Sequence, residues 1–400
     1  MEVKEKKLPF AALTVRNYRY FLTAQIISLT GTWMHQAAQG WLVYDLTHSS
    51  LYLGYTGAVF TLPILLFTLF GGVLADRFPK KSILMFTQFL SILPPLLLGI
   101  FTLTHSITVW EVLIIAFIMG SINSIDIPSR QSFLIEMVGR GYLLNAIALH
   151  SASFHGARML GPVIAGLLIS SIGLPYCFLI NALSFIPVVM VLARMQINER
   201  KTIPKDIISD FKEGFSFILH NQSIRQLLLM IMVFSIFGMP YNHFMPYFAE
   251  DIFQKGAKGL GLLMGGGGTG ALLAALTLAI RGDIKNKKGY IMIASFIFPI
   301  ALISFALTKN FLVAILLLMV AGFSMVSLLA TANSYIQLKV PDELRGRVMS
   351  VFSFIFLGMV PIGSFSLGYL AEFVGTPVMF IFSGSLCLFA ATVNFLKRHD

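Results

Sequence analysis

Apolar runs of about 20 residues recur along the whole 400-residue chain, and they restrict its fold more than any other feature. Each run is long enough to cross the hydrocarbon layer of a membrane as an α-helix. The runs are continuously apolar, without polar alternation, which favours helices over a transmembrane barrel. Only 12% of the residues are charged, against about 25% in soluble domains, so the composition excludes an ordinary soluble protein.

The sequence predicts twelve such spans, and therefore an all-α polytopic membrane protein. Their approximate ends are 18–46, 51–75, 82–103, 107–127, 143–171, 174–195, 223–249, 259–281, 289–308, 310–334, 347–372 and 376–396. The segment before the first span is basic and polar and has no short apolar core with a cleavage site. We therefore expect no cleaved signal peptide.

The basic residues are divided unevenly between the two sides of the membrane. If both termini lie inside, the outer loops hold only Lys255, Lys258 and Lys309 of the 29 Lys and Arg residues, and Arg158 lies within a span. All the others fall on inner segments, as the positive-inside rule requires. The net charge of +11 is thus explained by topology and by contact with anionic lipid, and no nucleic-acid partner is expected. We expect a multi-pass protein of the plasma (bacterial inner) membrane with cytoplasmic termini.

Two segments, one from each half of the chain, resemble each other. "GPVIAGLLISSIGLP" begins at Gly161 and "GSFSLGYLAEFVGTP" begins at Gly363, with Gly or Pro matching at four aligned positions. A mixed-charge segment separates the first six spans from the last six. The sequence therefore predicts two pseudo-symmetric six-helix bundles, 1–195 and 223–400, joined by a cytoplasmic linker at 196–222.

Several motifs resemble those of the major facilitator superfamily. "GGVLADRFPKK" is similar to the superfamily signature between spans two and three, with Pro79 where Gly is usual. "ARMLGPVIAG" is similar to the span-five motif of proton-coupled exporters. "DIPSRQSFLIEMV", "NAIALHSASFHGARMLGP" and "LRGRVMSVFSF" resemble the branch that contains the enterobactin exporter and macrolide efflux proteins. The resemblance extends from about residue 17 to residue 395 and implies the major facilitator fold with export activity.

The resemblance implies a cytoplasmic latch between the two halves that favours the outward-facing state. Its members would be Gly72, Asp76, Arg77, Lys80 and Lys81 of the signature, with Arg345 or Arg347 at the start of span eleven. Asp76 is the expected latch residue because acids contribute little to topology. For the three basic residues of the signature, a role as topology signals alone is equally compatible.

Other small and polar residues have simpler interpretations. Gly161, Pro162 and Gly166 form the expected helix-packing motif of span five. The Gly265–Gly268 run lacks the Gly-Lys-Ser/Thr ending of a phosphate loop and predicts close helix packing or a bend. Cys177 and Cys387 suggest neither a disulfide framework nor a metal site. We identify no nucleotide motif or catalytic residues, so we expect no enzyme, metal or cofactor.

Polar residues recur at helical spacing deep within two spans. Thr32, Gln36 and Gln39 follow one face of span one, and Ser151 and Arg158 follow one face of span five. They predict a substrate cavity, although hydrogen bonding between helices is the alternative. Arg158 lies near the middle of its span, where a charge is costly, and must face a cavity or a partner.

Proton coupling has three candidate residues in the N-terminal half. Asp126 lies near the inner end of span four, and either carries a proton or pairs with Arg130 as a gate. His35 and His155 lie deeper, and histidine titrates near physiological pH. Ordinary hydrogen bonding is the alternative for both. We expect no acid or base at mid-membrane depth in the C-terminal half, and therefore expect coupling in the N-terminal half.

These features together predict a monomeric secondary active transporter in the lipid bilayer. It would export amphipathic small molecules, drug-like or siderophore-like, by proton antiport with alternating access. One alternative is a proton-independent facilitator or a mover of lysophospholipid or other lipid, because no carboxylate lies at mid-membrane depth. Another is a membrane receptor or assembly partner that does not transport. The presence of the latch residues argues against this last interpretation.

Overall fold

The computed structural model describes residues 10–197, 207–282 and 284–396, and these residues form helices joined by short turns. For residues 69–76 and 207–210 the description covers the helical backbone only. The α-helices are α1 Arg16–Thr47, α2 Ser50–Arg77, α3 Lys80–Leu90, α4 Leu93–Leu103, α5 Val109–Ser171, α6 Leu174–Ser184, α7 Ile186–Arg194, α8 Ile207–His220, α9 Gln222–Val233, α10 Met245–Tyr247, α11 Gly256–Arg281, α12 Lys287–Leu307, α13 Phe311–Lys339, α14 Asp342–Gly358, α15 Val360–Val374 and α16 Thr376–Leu396.

The helices agree with the twelve predicted spans. Ten helical segments in the described residues are long and apolar enough to cross a membrane. One of them, Val109–Ser171, has 63 residues and is interrupted at Gly139, whose backbone is not helical, so α5 contains two spans. The remaining span is the 32-residue α1, which is less apolar because polar residues recur along it. The fourth span is longer than predicted, since the helix continues beyond Pro128 as far as Gly139.

The repeat in the sequence corresponds to a repeated local structure. Gly173 and Gly375 both have positive φ, 109° and 82° respectively. Each precedes a helix that carries proline in its first turn, α6 in one half and α16 in the other. Glycine adopts such a conformation without the strain that a side chain would bring. The same turn therefore connects the fifth and sixth spans of each half.

Short turns connect the spans at two ends of the bundle. We call one end the basic face, where the described chain begins and ends and where residues 77–80, 139–141, 281–282 and 284–287 lie. The other end, with residues 47–50, 103–109, 171–174, 252–256, 307–311 and 374–376, is called the opposite face. Between the two faces the surface exposes large apolar side chains, among them Phe86, Phe89, Ile114, Leu183 and Phe389. Such a surface suits contact with lipid.

The seventh span is a helix interrupted by irregular turns. After α9 it passes through a π turn at Phe234–Gly238 and a 3-10 turn at Met239–Phe244, and after α10 it ends in a second π turn at Phe248–Ile252. Pro240 and Pro246 lie in this region, and proline removes a backbone donor and crowds the preceding turn. The interruption brings polar residues of the C-terminal half to the interface between the halves.

Candidate functional site

A cavity of about 800 Å³ lies between the two halves of the protein. Its walls come from α1, α2 and the second part of α5 on one side. The interrupted seventh span, α11, α13, α14 and Val360 form the other side. The lining is mainly apolar and aromatic, with a few polar groups at separate points. The polar lining residues are Gln36, Gln39, Thr56, Thr61, Ser151, His155, Arg158, Tyr241, Asn242, His243 and Asn333.

Arg158 is the charged residue of this lining, and it lies between an aromatic ring and a hydroxyl group. Its guanidinium carbon is 5.5 Å from the centre of the Trp33 ring, within the range of a cation–π interaction. Its Nη2 donates to the hydroxyl oxygen of Tyr241 over 3.4 Å, a long hydrogen bond. The lining residues that the structure describes include no Asp or Glu. Arg158 therefore brings a positive charge without a carboxylate partner to a mainly apolar cavity.

Close packing of glycine-containing helices fixes the position of Arg158. A Cβ atom at Gly161 would lie 2.6 Å from the Trp33 Cβ, so α5 meets α1 with little space between them. A Cβ at Gly268 would lie 2.6 Å from the Arg158 carbonyl oxygen, so α11 contacts the α5 backbone at this residue. Gly166 meets the Ala257 carbonyl in the same manner. The small residues thus allow three helices to approach closely around Arg158.

The two halves are joined near the opposite face. Ser50 and Thr376 share a hydrogen bond of 2.6 Å, and the Ser49 hydroxyl donates to Glu372 over 3.0 Å. The Tyr44 hydroxyl donates to Asp251 of the C-terminal half. These contacts join the halves at or next to the opposite face. Toward the basic face the lining continues to residues such as Ile147 and Asn333.

Four of the five residues predicted to line the substrate cavity do so, and one does not. Gln36, Gln39, Ser151 and Arg158 are lining residues. Thr32 is not part of the described lining, and its hydroxyl donates to the Ser28 carbonyl over 2.9 Å.

Of the two histidines predicted for proton coupling, one lines the cavity and the other does not. His155 lines the cavity, and its Nδ1 has no partner in the described structure. His35 is buried behind the wall, with its ring 5.1 Å from that of Phe178. The adjacent Gln39 is buried too, and its Nε2 also has no partner among the described atoms.

Asp126 lies in a separate polar network outside the cavity lining. It is 1% exposed and accepts hydrogen bonds from the Thr87 hydroxyl over 2.7 Å and the Gln88 amide over 2.8 Å. It also forms an ion pair with Arg130, one turn further along α5. Of the two roles considered for Asp126, the pairing with Arg130 is present in this structure. These bonds satisfy most of the carboxylate's acceptor positions.

The residues assigned to the cytoplasmic latch form several contacts at the basic face. Lys80 is 6% exposed and pairs with Glu136 at 2.7 Å, while the Lys81 Nζ donates to the Met195 carbonyl over 2.7 Å. Arg345 pairs with Asp342 of the same helix. Arg347 pairs with Glu213 of α8, and Arg77 is exposed. The side chains of Gly72 and Asp76 lie outside the described part of the structure.

His243 is a cavity residue that the sequence analysis missed. It lies in the 3-10 turn of the seventh span, and a Cβ at Gly57 of α2 would lie 2.7 Å from its Cδ2. The expectation of no acid or base deep within the C-terminal spans is therefore wrong. The sequence Tyr241-Asn242-His243, polar and flanked by Pro240 and Pro246, is the pattern that indicates an interrupted, cavity-lining segment.

Comparison with solved structures identifies the fold. The nucleoside transporter NupG superposes with a TM-score of 0.74 at 12% identity, covering 95% of this chain and 98% of that one. A transporter of the POT family, solved with 5-aminolevulinic acid, gives a TM-score of 0.76 at 11% identity, covering 95% and 96%. The chain thus has the fold of the major facilitator transporters, with two six-helix bundles around a central cavity.

Sequence comparison places the chain within that class. A family model described as transmembrane secretion effector matches residues 7–399, and the chain belongs to this family of the major facilitator superfamily. The Staphyloferrin A transporter of Staphylococcus aureus is 25% identical over 92% of this chain and 94% of its own length. The multidrug efflux pump Tap of Mycolicibacterium fortuitum is 24% identical over 94% and 95%. Macrolide efflux protein A of Streptococcus pyogenes is 23% identical over 92% and 93%.

The family and fold together establish the general activity. The chain is a multi-pass membrane transporter of the efflux type, and not an enzyme. The expected superfamily and its efflux branch are confirmed.

Proposed function

We propose that the chain is a monomeric secondary active exporter of amphipathic small molecules, siderophore-like or drug-like, in a bacterial plasma membrane. The names of the similar transporters support cargo of this kind, since they include a siderophore transporter, a multidrug pump and a macrolide efflux protein. The distribution of Lys and Arg supports cytoplasmic termini. The basic face is then the cytoplasmic side.

The cavity between the halves is the observation that carries this proposal. Its volume of about 800 Å³ is within the range of pockets that hold drug-sized molecules. Aromatic residues such as Trp33, Phe60 and Phe356 offer apolar surface, while Gln36 and Arg158 offer polar contacts. A molecule with both apolar and polar parts would be matched by both kinds of surface.

Alternating access would move the cavity's opening from the cytoplasmic side to the outside. The hydrogen bonds near the opposite face would have to break for the outward-facing state to form. The cytoplasmic latch, with Asp76 and either Arg345 or Arg347, would stabilise that state. In the present structure Arg345 pairs with Asp342 and Arg347 pairs with Glu213, so both arginines bind carboxylates at the basic face.

Proton antiport would depend on a titratable group that cargo can influence. His155 is supported by its position in the cavity wall, and His243 faces the same cavity from the other half. His35 would reach the cavity through Gln39. Asp126 would act as a gate component, because its carboxylate is engaged by several partners.

Reconstitution in liposomes tests the proposed function. Purified protein would be placed in vesicles with an imposed pH gradient, and proton flux would be followed as siderophores, macrolides and lipophilic organic ions are added. Cargo-dependent proton flux is expected. Cargo movement without proton flux would instead identify a facilitator, an alternative that is supported by the lack of a carboxylate in the described cavity lining.

The latch requires its own test. Asp76→Asn should reduce export several-fold with near-normal expression, because the neutral amide binds an arginine less strongly than a carboxylate does. Unchanged transport kinetics in this variant would rule out the latch. Arg281→Gln, which changes an exposed charge at the same face, is the matched control.

A further inference from the structure

Arg158 is the cavity residue with the most hydrogen-bond donors that lack a partner in the described structure. Its side chain is half-buried in the wall, and it forms no ion pair with a described carboxylate. A guanidinium group has five N–H donors and remains charged at any physiological pH. Of these donors, one makes the 3.4 Å contact with Tyr241, and the Trp33 ring lies against the guanidinium.

The surroundings of this charge favour an anion over any other partner. Water in the cavity would solvate Arg158 in the empty transporter, but an apolar molecule entering the site would displace that water. Entry of a cation would in addition bring two like charges together in a region of low dielectric constant. Entry of an anion would form charge-assisted hydrogen bonds with the fork of the guanidinium.

We propose that this cavity selects amphipathic organic anions, in which a carboxylate, sulfonate or phosphate group binds Arg158 and displaces the Tyr241 hydroxyl. The apolar part of the ligand would pack against Trp33, Phe60 and Phe356, which line the same cavity. This inference rests on the proposed function, because it defines the cargo of the same site. It narrows the cargo from amphipathic molecules in general to those that carry a negative charge.

The displaced hydrogen bond links ligand binding to movement of the halves. Arg158 belongs to the N-terminal half, whereas Tyr241 lies on the interrupted seventh span of the C-terminal half. A Cβ at Gly267 would lie 3.3 Å from the Tyr241 hydroxyl, so this hydroxyl has little free space on its α11 side. Exchange of Tyr241 for the ligand's anionic group removes a direct bond between the two halves.

Three pyrene probes of similar size but different charge test the selectivity. Pyrenebutyrate is the anion, pyrenebutanol the neutral analogue and pyrenebutyltrimethylammonium the cation. Binding to the purified protein in a neutral detergent would be measured by energy transfer from its tryptophans to pyrene, which requires no transport. We expect pyrenebutyrate to bind about tenfold or more tightly than either analogue, the gain of a charge-assisted hydrogen bond.

Variants connect this preference to Arg158. Arg158→Gln should abolish the preference for the anion, and Arg158→Lys should retain part of it, because lysine keeps the charge and loses the fork. Tyr241→Phe should leave pyrenebutyrate binding equal or tighter, since the hydroxyl no longer competes. Arg281→Gln is the control, and it should behave as the wild type. Monodisperse elution of each variant in gel filtration would show that it is folded.

An anionic lipid headgroup shares the chemistry of a free organic anion. Phosphatidylglycerol added to the micelles would distinguish the two sources. Weak or no competition with pyrenebutyrate is expected if the ligand is a free amphiphile. Complete competition at low lipid content, lost in Arg158→Gln, would make the lipid the ligand and overturn the assignment to free organic anions.

The remaining outcomes separate this inference from the proposed function. Equal binding of the anion and the cation, or a preference that survives in Arg158→Gln, would overturn the inference even if the protein transports drugs. Selective binding of the anion without transport of any compound in liposomes would retain the inference and contradict the exporter function.

Discussion

Two charged side chains of helix α5, the buried Asp126 and the half-buried Arg158, have contrasting surroundings. Asp126, in the first part of the helix, accepts hydrogen bonds from Thr87 and Gln88 and pairs with Arg130. Arg158, in the second part, has one long hydrogen bond to Tyr241 and the face of Trp33. The first charge is neutralised by its own half of the protein. The second is open to a cavity between the halves, so it is the one available to a ligand.

The partners of the two charges explain this difference. Thr87 and Gln88 belong to α3, which packs beside α5 in the same bundle, so their contacts with Asp126 need not change when the halves move. Tyr241 belongs to the other half, so its contact with Arg158 must respond to such movement. A buried charge with partners in its own bundle stabilises the fold, whereas one that faces the other bundle is suited to binding and conformational change.

The largest expected effect on stability comes from Asp126→Ala. The change leaves Arg130 without its carboxylate and Thr87 and Gln88 without their acceptor, and should cost about 3 kcal/mol of unfolding free energy. Denaturant titration in mixed micelles measures it, with a thiol-reactive dye as reporter, because Cys177 and Cys387 are both buried. A loss below about 1 kcal/mol would show that the network contributes little.

A double-mutant cycle measures how strongly Asp126 and Arg130 interact. Asp126→Asn and Arg130→Gln, alone and together, should give an interaction energy of about 1–3 kcal/mol, because the neutral pair leaves no uncompensated charge. Additive effects of the two changes would mean that Asp126 and Arg130 act independently.

Arg158→Gln should have a large effect on transport and a small effect on stability, in contrast to Asp126→Ala. Removal of an uncompensated charge should change unfolding by less than about 1 kcal/mol, while export falls about tenfold or more. Parallel measurement of dye-reported unfolding and liposome transport checks both. A variant that unfolds readily would assign Arg158 a structural role like that of Asp126.

The smallest effect is expected from Tyr241→Phe. The hydrogen bond to Arg158 is long, so its loss should cost about 0.5 kcal/mol or less of stability. The same denaturant titration measures this change. A loss of about 2 kcal/mol or more would indicate that the Arg158–Tyr241 contact is a strong link between the halves.

The sequence predicts the cavity residues around Arg158 but not the partners of the buried charges, for physical reasons. The cost of a charge in an apolar span was enough to single out Arg158, and helical spacing placed Gln36, Gln39 and Ser151 near it. The partners of Asp126 and of Lys80 come from other helices, so they are not visible from spacing along the chain.

The fourth and seventh spans show two further limits of sequence reasoning. The sequence predicts that the fourth span ends at residue 127, yet the helix continues to Gly139, and Asp126 and Arg130 form an ion pair within it. His243 was missed because the seventh span was treated as a regular helix. Its two prolines instead produce an interrupted segment that faces the cavity.

The central claim is that cargo passes through the cavity at Arg158, and one labelling experiment tests it directly. Ser151→Cys places a thiol in the cavity wall of a protein whose described cysteines are both buried. A bulky maleimide applied from the cytoplasmic side should block export, and pyrenebutyrate should slow the labelling. Complete labelling at an unchanged rate, with transport undiminished, would show that cargo takes another path.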